Sequence, residues 1–240
     1  MPPKNKAQTP NKLIDEQEVI QELESLGTEQ NRKTYKRHGS GEKVFGVSYA
    51  NLYKLQKKFK KNTDLAEKLW ESGIQDARIL ATMIADAEKI TEKTIDRWLK
   101  QLGNRGLSDA VAGVIAQTAY AQKKAESLIL EENEWRCNTG WGVLARLTGD
   151  SKVPDSFFES YLSQIEKNIH QSKNWVKYAM NGALISIGLR NDALEAKVTK
   201  IAKKIGKVEV DHGETSCKTP DVIAYIQKTK ERYKKARSKS

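Results

Sequence analysis

Apolar residues recur at three- and four-residue spacing along nearly the whole chain, and no stretch alternates convincingly with period two. "NLYKLQKKF" sets Leu52, Leu55 and Phe59 on one helical face behind Ser48, whose hydroxyl suits an N-cap. "TDLAEKLWESG" runs from a capping Thr63 to a terminating Gly73. "PDSFFESYLSQIEKNI" opens on Pro154, a first-turn residue, and stacks Phe158, Tyr161, Leu162, Ile165 and Ile169. "ALEAKVTKIAKKIG" repeats Leu194, Val198, Ile201 and Ile205 before Gly206. These spacings predict an all-α fold.

The predicted helices fall into pairs. A first helix (around 64–72, 92–102, 121–131 and 155–170) is followed by a short break and a second (around 74–86, 107–119, 134–148 and 174–188). A single hairpin of this size cannot bury its own apolar face, so stacked hairpins sharing one core are expected. The architecture predicted is a HEAT-like α-α superhelix with a concave groove, an irregular helical bundle being the rival. One domain spans 13–233, between a basic N-terminus (1–12) and a basic tail (234–240) that are both expected to be loose.

Charge changes this picture little at first. The 240 residues carry 42 Lys and Arg against 31 Asp and Glu, a formal +11. The two ends hold most of the excess: Lys4, Lys6 and Lys12 with no acid at one, seven Lys or Arg against Glu231 in 227–240 at the other. A basic surface in the middle must therefore come from arrangement. The longest apolar run, "ILATMIA" from Ile79, is far short of a membrane span, and no secretory signal opens the chain. Cys137 and Cys217 make no disulfide framework. A cytoplasmic monomer without membrane segment or cofactor is expected.

Arrangement is where the second helices become informative. Near their starts lie Arg78 in "QDARIL", Asp109 in "LSDAVA", Trp135 and Arg136 in "NEWRCN", and Trp175, Lys177 and Asn181 in "NWVKYAMN". In a solenoid these helices line the inner face. A cation in most repeats, with two indoles beside them, suits a groove that follows a phosphate backbone and offers flat surfaces to bases or sugars. Taken singly, each residue also has a structural role open to it: indoles as core anchors, Arg78 as partner of Asp76. Asp109 is the exception in sign, since a carboxylate repels phosphate. It is either ordinary helix-start chemistry or an anion that steadies positive charge developing on a deoxyribose when a cationic alkylpurine departs.

At these residues the chain resembles the DNA alkylation repair family of HEAT-like glycosylases (the AlkD-like proteins). The matching stretches are "GVSYANLYKLQKKF", "DARILATMIAD", "LSDAVAGVIA", "NEWRCNTGWGVLARL", "NWVKYAMNGALISIG" and "VDHGETSCKTPD", over roughly residues 13–228. The resemblance implies a solenoid that grips duplex DNA, alkylated or distorted, and in active members excises N3- or N7-alkylated purines. Asp109 falls at the family's catalytic aspartate. The resemblance thus leads to the expectation of an alkylpurine DNA glycosylase, with Asp109 at the lesion and Arg78, Arg136 and Lys177 on the backbone. Three positions depart: Arg105 stands where active members have a tryptophan, Asn138 near a family arginine, and Gly182 at a family aromatic. Those aromatics hold the lesion's sugar, so the departures favour the alternative, a non-catalytic binder of branched or damaged DNA. A protein-interaction scaffold is the third reading.

The stretch "VEVDHGETSCKTPD" concentrates Asp211, His212 and Cys217, which need a further ligand such as Cys137 or His170 to hold a metal. No CxxC or HxxxH spacing is present, so no metal is expected. Thr219, Pro220 and Asp221 predict a helix start, with Thr219 as N-cap. The stretch is expected to connect two helices, with His212 as a DNA contact.

Overall fold

Residues 15–238 are described by the structure, a computed structural model. The three- and four-residue apolar spacing resolves into thirteen α-helices and one 3-10 turn among these residues. Five pairs carry the architecture. The first members are α4 (Thr63–Glu71), α6 (Glu92–Lys100), α8 (Ala121–Ile129), α10 (Asp155–Asn168) and α12 (Asp192–Ile205). α5 (Gln75–Ile84), α7 (Arg105–Ile115), α9 (Glu134–Leu147), α11 (Asn174–Arg190) and α13 (Val222–Arg237) follow them. α1 (Glu16–Ser25), α2 (Glu29–Arg37) and α3 (Tyr49–Phe59) precede the pairs. α3, α5, α7, α9, α11 and α13 pack in succession to form one layer, and the other members lie against it. The core runs unbroken through both layers, from Val19 to Ile226.

Close helix approach is set by small residues and flat rings. A Cβ at Gly140 would lie 2.6 Å from the Ile129 amide nitrogen, so α9 meets α8 backbone to backbone. Between α4 and α6, Trp70 and Trp98 stack with centroids 4.4 Å apart, and both are fully buried. Trp141 is likewise buried, edge-on to Tyr161 at 5.8 Å.

Two predicted caps move by one or two residues. Asn62, not Thr63, caps α4 by accepting from the Leu65 amide. The Thr63 hydroxyl instead accepts from the Asp86 amide at 3.1 Å, joining α4 to the end of α5. Asp221, not Thr219, caps α13 through the Ala224 amide, because the Thr219 hydroxyl is bonded to His212. α13 continues to Arg237, so the stretch from 234 to 237 is helical rather than a loose tail. The N-terminal arm, 1–12, lies outside the described residues.

Candidate functional site

Asp109 lies one turn into α7, with its side chain 44% exposed. Asn104 caps that helix through the Leu107 amide, which places Arg105 at the first helical position. A cation there sits at the positive end of the helix dipole, an unfavourable place for it. Three neighbours hold it. Its Nη1 donates to Asp109 Oδ2 at 3.1 Å, and its guanidinium lies 5.3 Å from the Trp175 ring and 5.1 Å from the Tyr178 ring. An exposed ion pair four residues apart on a helix contributes only about 0.3–0.5 kcal/mol. The two rings, at ~0.5–2 kcal/mol for cation–π contacts, do more to fix the guanidinium.

The rings are in turn held from behind. Trp175 and Tyr178 meet edge to face at 6.0 Å, and His212 packs against both at 5.8 and 5.6 Å. The segment carrying His212 is clamped to the start of α11. The Asn174 amide group donates to the Asp211 carbonyl and accepts from the Asp211 amide, at 2.7 and 2.8 Å. α11 lacks a side-chain cap of its own; Glu134 of α9 accepts from the Trp175 amide at 2.7 Å. Asn138, buried, donates to the Trp175 carbonyl. The chemically dense stretch is therefore a brace for the Arg105 cage. Among the described residues no cluster of three or more His, Cys, Asp or Glu is placed to hold a metal ion.

Beside the cage, a cleft of about 470 Å³ opens across α3, α5, α7 and α9. Its ionisable lining has three cations, Lys61, Arg105 and Arg146, against the single acid Asp109. Arg146 donates to the Asp109 carbonyl at 3.1 Å and to the Gly142 carbonyl at 2.9 Å, so the Asp109 peptide is held from a second side. Tyr49 and Tyr53, both about half exposed, form the opposite wall with rings 6.4 Å apart. Loss of hydration, then the neighbouring Asp109 carboxylate and Tyr53, push the Tyr49 phenol above its ordinary range. His38, in a second small cavity that also borders Arg105, is held below the usual imidazole range by partial burial, then by Arg105, Arg37 and His212. The ionisable lining of the cleft is thus net cationic around Asp109.

The residues expected from sequence distribute unequally around this site. Asp109 and Trp175 are in it, and His212 supports it. Arg78 lies outside the lining of this cleft and is engaged within the fold. It donates to the Trp70 carbonyl at 3.0 Å and to Gln101 Oε1 at 2.6 Å, and stacks on Trp70, riveting α5 to α4 and to the residue that ends α6. Burial lowers its pKa. Asn181 is buried, donates to the Pro220 carbonyl, and lines a separate groove between α11 and α13 rather than this cleft. Arg136 pairs with Glu131 at 2.6 Å. Trp135 is half-buried and joins none of the ring contacts around Arg105. Lys177 lies near enough to Glu209 to help lower its pKa, after Lys207. Sequence reasoning missed the roles of Tyr178, Arg146, Tyr49 and Tyr53, and took Arg105 only as a lost tryptophan. The spacings were signals: Arg105 and Asp109 four apart, Trp175 and Tyr178 three apart.

Paired helices sharing one layer, with a net cationic and tyrosine-lined cleft on that layer, define an α-helical repeat protein. The chain belongs to the DNA alkylation repair enzyme family, whose model matches residues 19–205. A solved structure described as "a new family of proteins related to the HEAT-like repeat DNA glycosylases with affinity for branched DNA structures" superposes with a TM-score of 0.84. It is 33% identical and covers 91% of this chain and 95% of its own. The fold is therefore HEAT-like. Two curated relatives, the uncharacterized proteins Lin0241 of Listeria innocua and Lmo0209 of Listeria monocytogenes, are each 28% identical. Each match covers 92% of this chain and 99% and 100% of the relative respectively.

Proposed function

We propose that this protein binds double-stranded DNA at branches or distortions through the α7–α11 face, and does so without excising bases. One observation carries the reading: the Arg105 guanidinium bridges Asp109 and the Trp175–Tyr178 rings. An aspartate that steadies an oxocarbenium-like sugar must present uncompensated negative charge. Here a cation held by two rings lies 3.1 Å from that carboxylate and opposes its charge. The same cation sits at the start of α7, where helix dipole and guanidinium act together on a phosphate. The intrahelical pair is weak, so a phosphate can compete for the guanidinium, to which it offers bidentate charge-assisted hydrogen bonds. The cleft's net positive lining and its two exposed tyrosines suit a backbone that departs from a regular duplex. The solved relative's affinity for branched DNA supports the choice of ligand.

A second reading has one observation in its favour. The Asp109 side chain remains 44% exposed, so a guanidinium drawn away by phosphate would leave a free carboxylate on the face. Purified protein incubated with duplex containing N7-methylguanine decides between the two. The binding reading expects no released base, together with tighter binding of a four-way junction than of a matched duplex. Release that disappears in Asp109→Asn would make excision the function. Absence of salt-sensitive DNA binding would leave a protein-interaction scaffold.

A further inference from the structure

We propose that the groove between α11 and α13 is a track for single-stranded DNA leaving the Arg105–Asp109 face, a site that rests on the DNA-binding reading above. The groove has a volume of about 670 Å³. Its lining includes Tyr178, one of the two rings that hold Arg105, so that ring joins it to the proposed DNA face. Gly182 and Ser186 form its floor on α11, and a Cβ added at Gly182 would touch nothing within 4 Å. Tyr225, Arg232 and Tyr233 of α13 form the far wall, and Lys218 stands at its rim. No carboxylate lines it.

The chemistry of that wall points to stacked bases between phosphates. Tyr225 and Tyr233 are 47% and 61% exposed, and neither ring contacts another aromatic or a cation among the described residues. Two idle tyrosines on one face of a helix, with an arginine beside the second, are the pairing that sequence-tolerant single-strand sites use: rings for base faces, cations for the backbone. Eight residues of helix separate the two rings, about 12 Å of rise. α11 and α13 pack directly on each other, so the groove is a furrow along the seam between two neighbouring helices. At a branch, duplex on the α3–α9 cleft and an unpaired strand along α13 would diverge at Arg105.

Fluorescence anisotropy with the full chain tests this. The probes are a blunt duplex and the same duplex carrying a six-thymidine single-stranded flap. Wild type is expected to bind the flap DNA more tightly than the blunt one. Tyr225→Ala/Tyr233→Ala is expected to lose that gain, by about thirtyfold or more for two stacked rings, while keeping its blunt-duplex affinity. Tyr225→Phe/Tyr233→Phe keeps the rings and is expected to keep the gain. A wild type that binds DNA but gains nothing from the flap, or an alanine variant that retains the gain, overturns the track alone; a groove serving an acidic peptide gives this result. A wild type that binds neither DNA overturns the track together with the DNA-binding reading.

Discussion

Arg105 concentrates the functional argument into one side chain. It stands at the positive end of α7, touches Asp109 and lies over Trp175 and Tyr178. If Asp109 acts only as a counter-charge, removing it helps a phosphate reach Arg105. Asp109→Asn is therefore expected to bind junction DNA as tightly as wild type or up to about fivefold more tightly, measured by anisotropy. Weaker binding would mean the carboxylate contacts DNA directly. The two thiols offer an independent check on the packing. Burial pushes the Cys137 thiol up to about 11, whereas Cys217 is exposed. Native protein at pH 8 is expected to give one rapidly reacting thiol with a disulfide reagent and two after unfolding. Two rapid thiols in native protein would contradict the buried start of α9. Residue types were legible here while pairings were not. Arg78 and Arg105 are both arginines at the start of an inner helix, yet one faces Gln101 and the other the cleft, a difference decided by tertiary contacts.

Helices were the most legible level, because each buries a stripe whose period the sequence shows directly. The eight predicted paired helices all appear, with ends shifted by a few residues. Caps were less legible. Where two capping residues adjoin, as Asn62 and Thr63 do, the winner depends on what else can use the second one, here the Asp86 amide. Glycines inside helices were opaque for the same reason. A Cβ at Gly140 would collide with α8 backbone, whereas one at Gly182 meets open space. Gly140→Ala is expected to lower stability by about 1–3 kcal/mol. Gly182→Ala is expected to leave it unchanged or raise it by up to about 1 kcal/mol, from helix propensity. Denaturant titration of the two variants reads both signs, and equal effects would contradict the described α8–α9 approach.

At the scale of the whole molecule, a solenoid was foreseeable from the recurrence of helical pairs, but its working face was not. Which polar residues point into a shared cleft depends on the rotation of each inner helix, and sequence spacing does not fix that. Hence Arg146 and the Tyr49–Tyr53 pair emerged only with the fold, while Asn181 turned inward to Pro220. The cleft's cations make the binding electrostatic. With Lys61, Arg105 and Arg146 neutralising about three phosphates, the logarithm of affinity is expected to fall with the logarithm of salt at a slope of about −3 or steeper. A slope near zero would remove phosphate contact from the account.

The central claim is that Arg105, steered by its two rings, meets DNA. The most direct measurement is the affinity of Arg105→Ala for a four-way junction at fixed salt, beside wild type, with helical content checked by circular dichroism. Loss of a charge-assisted phosphate contact predicts binding weaker by about tenfold or more in a variant that stays folded. Unchanged affinity in a folded variant would contradict the claim.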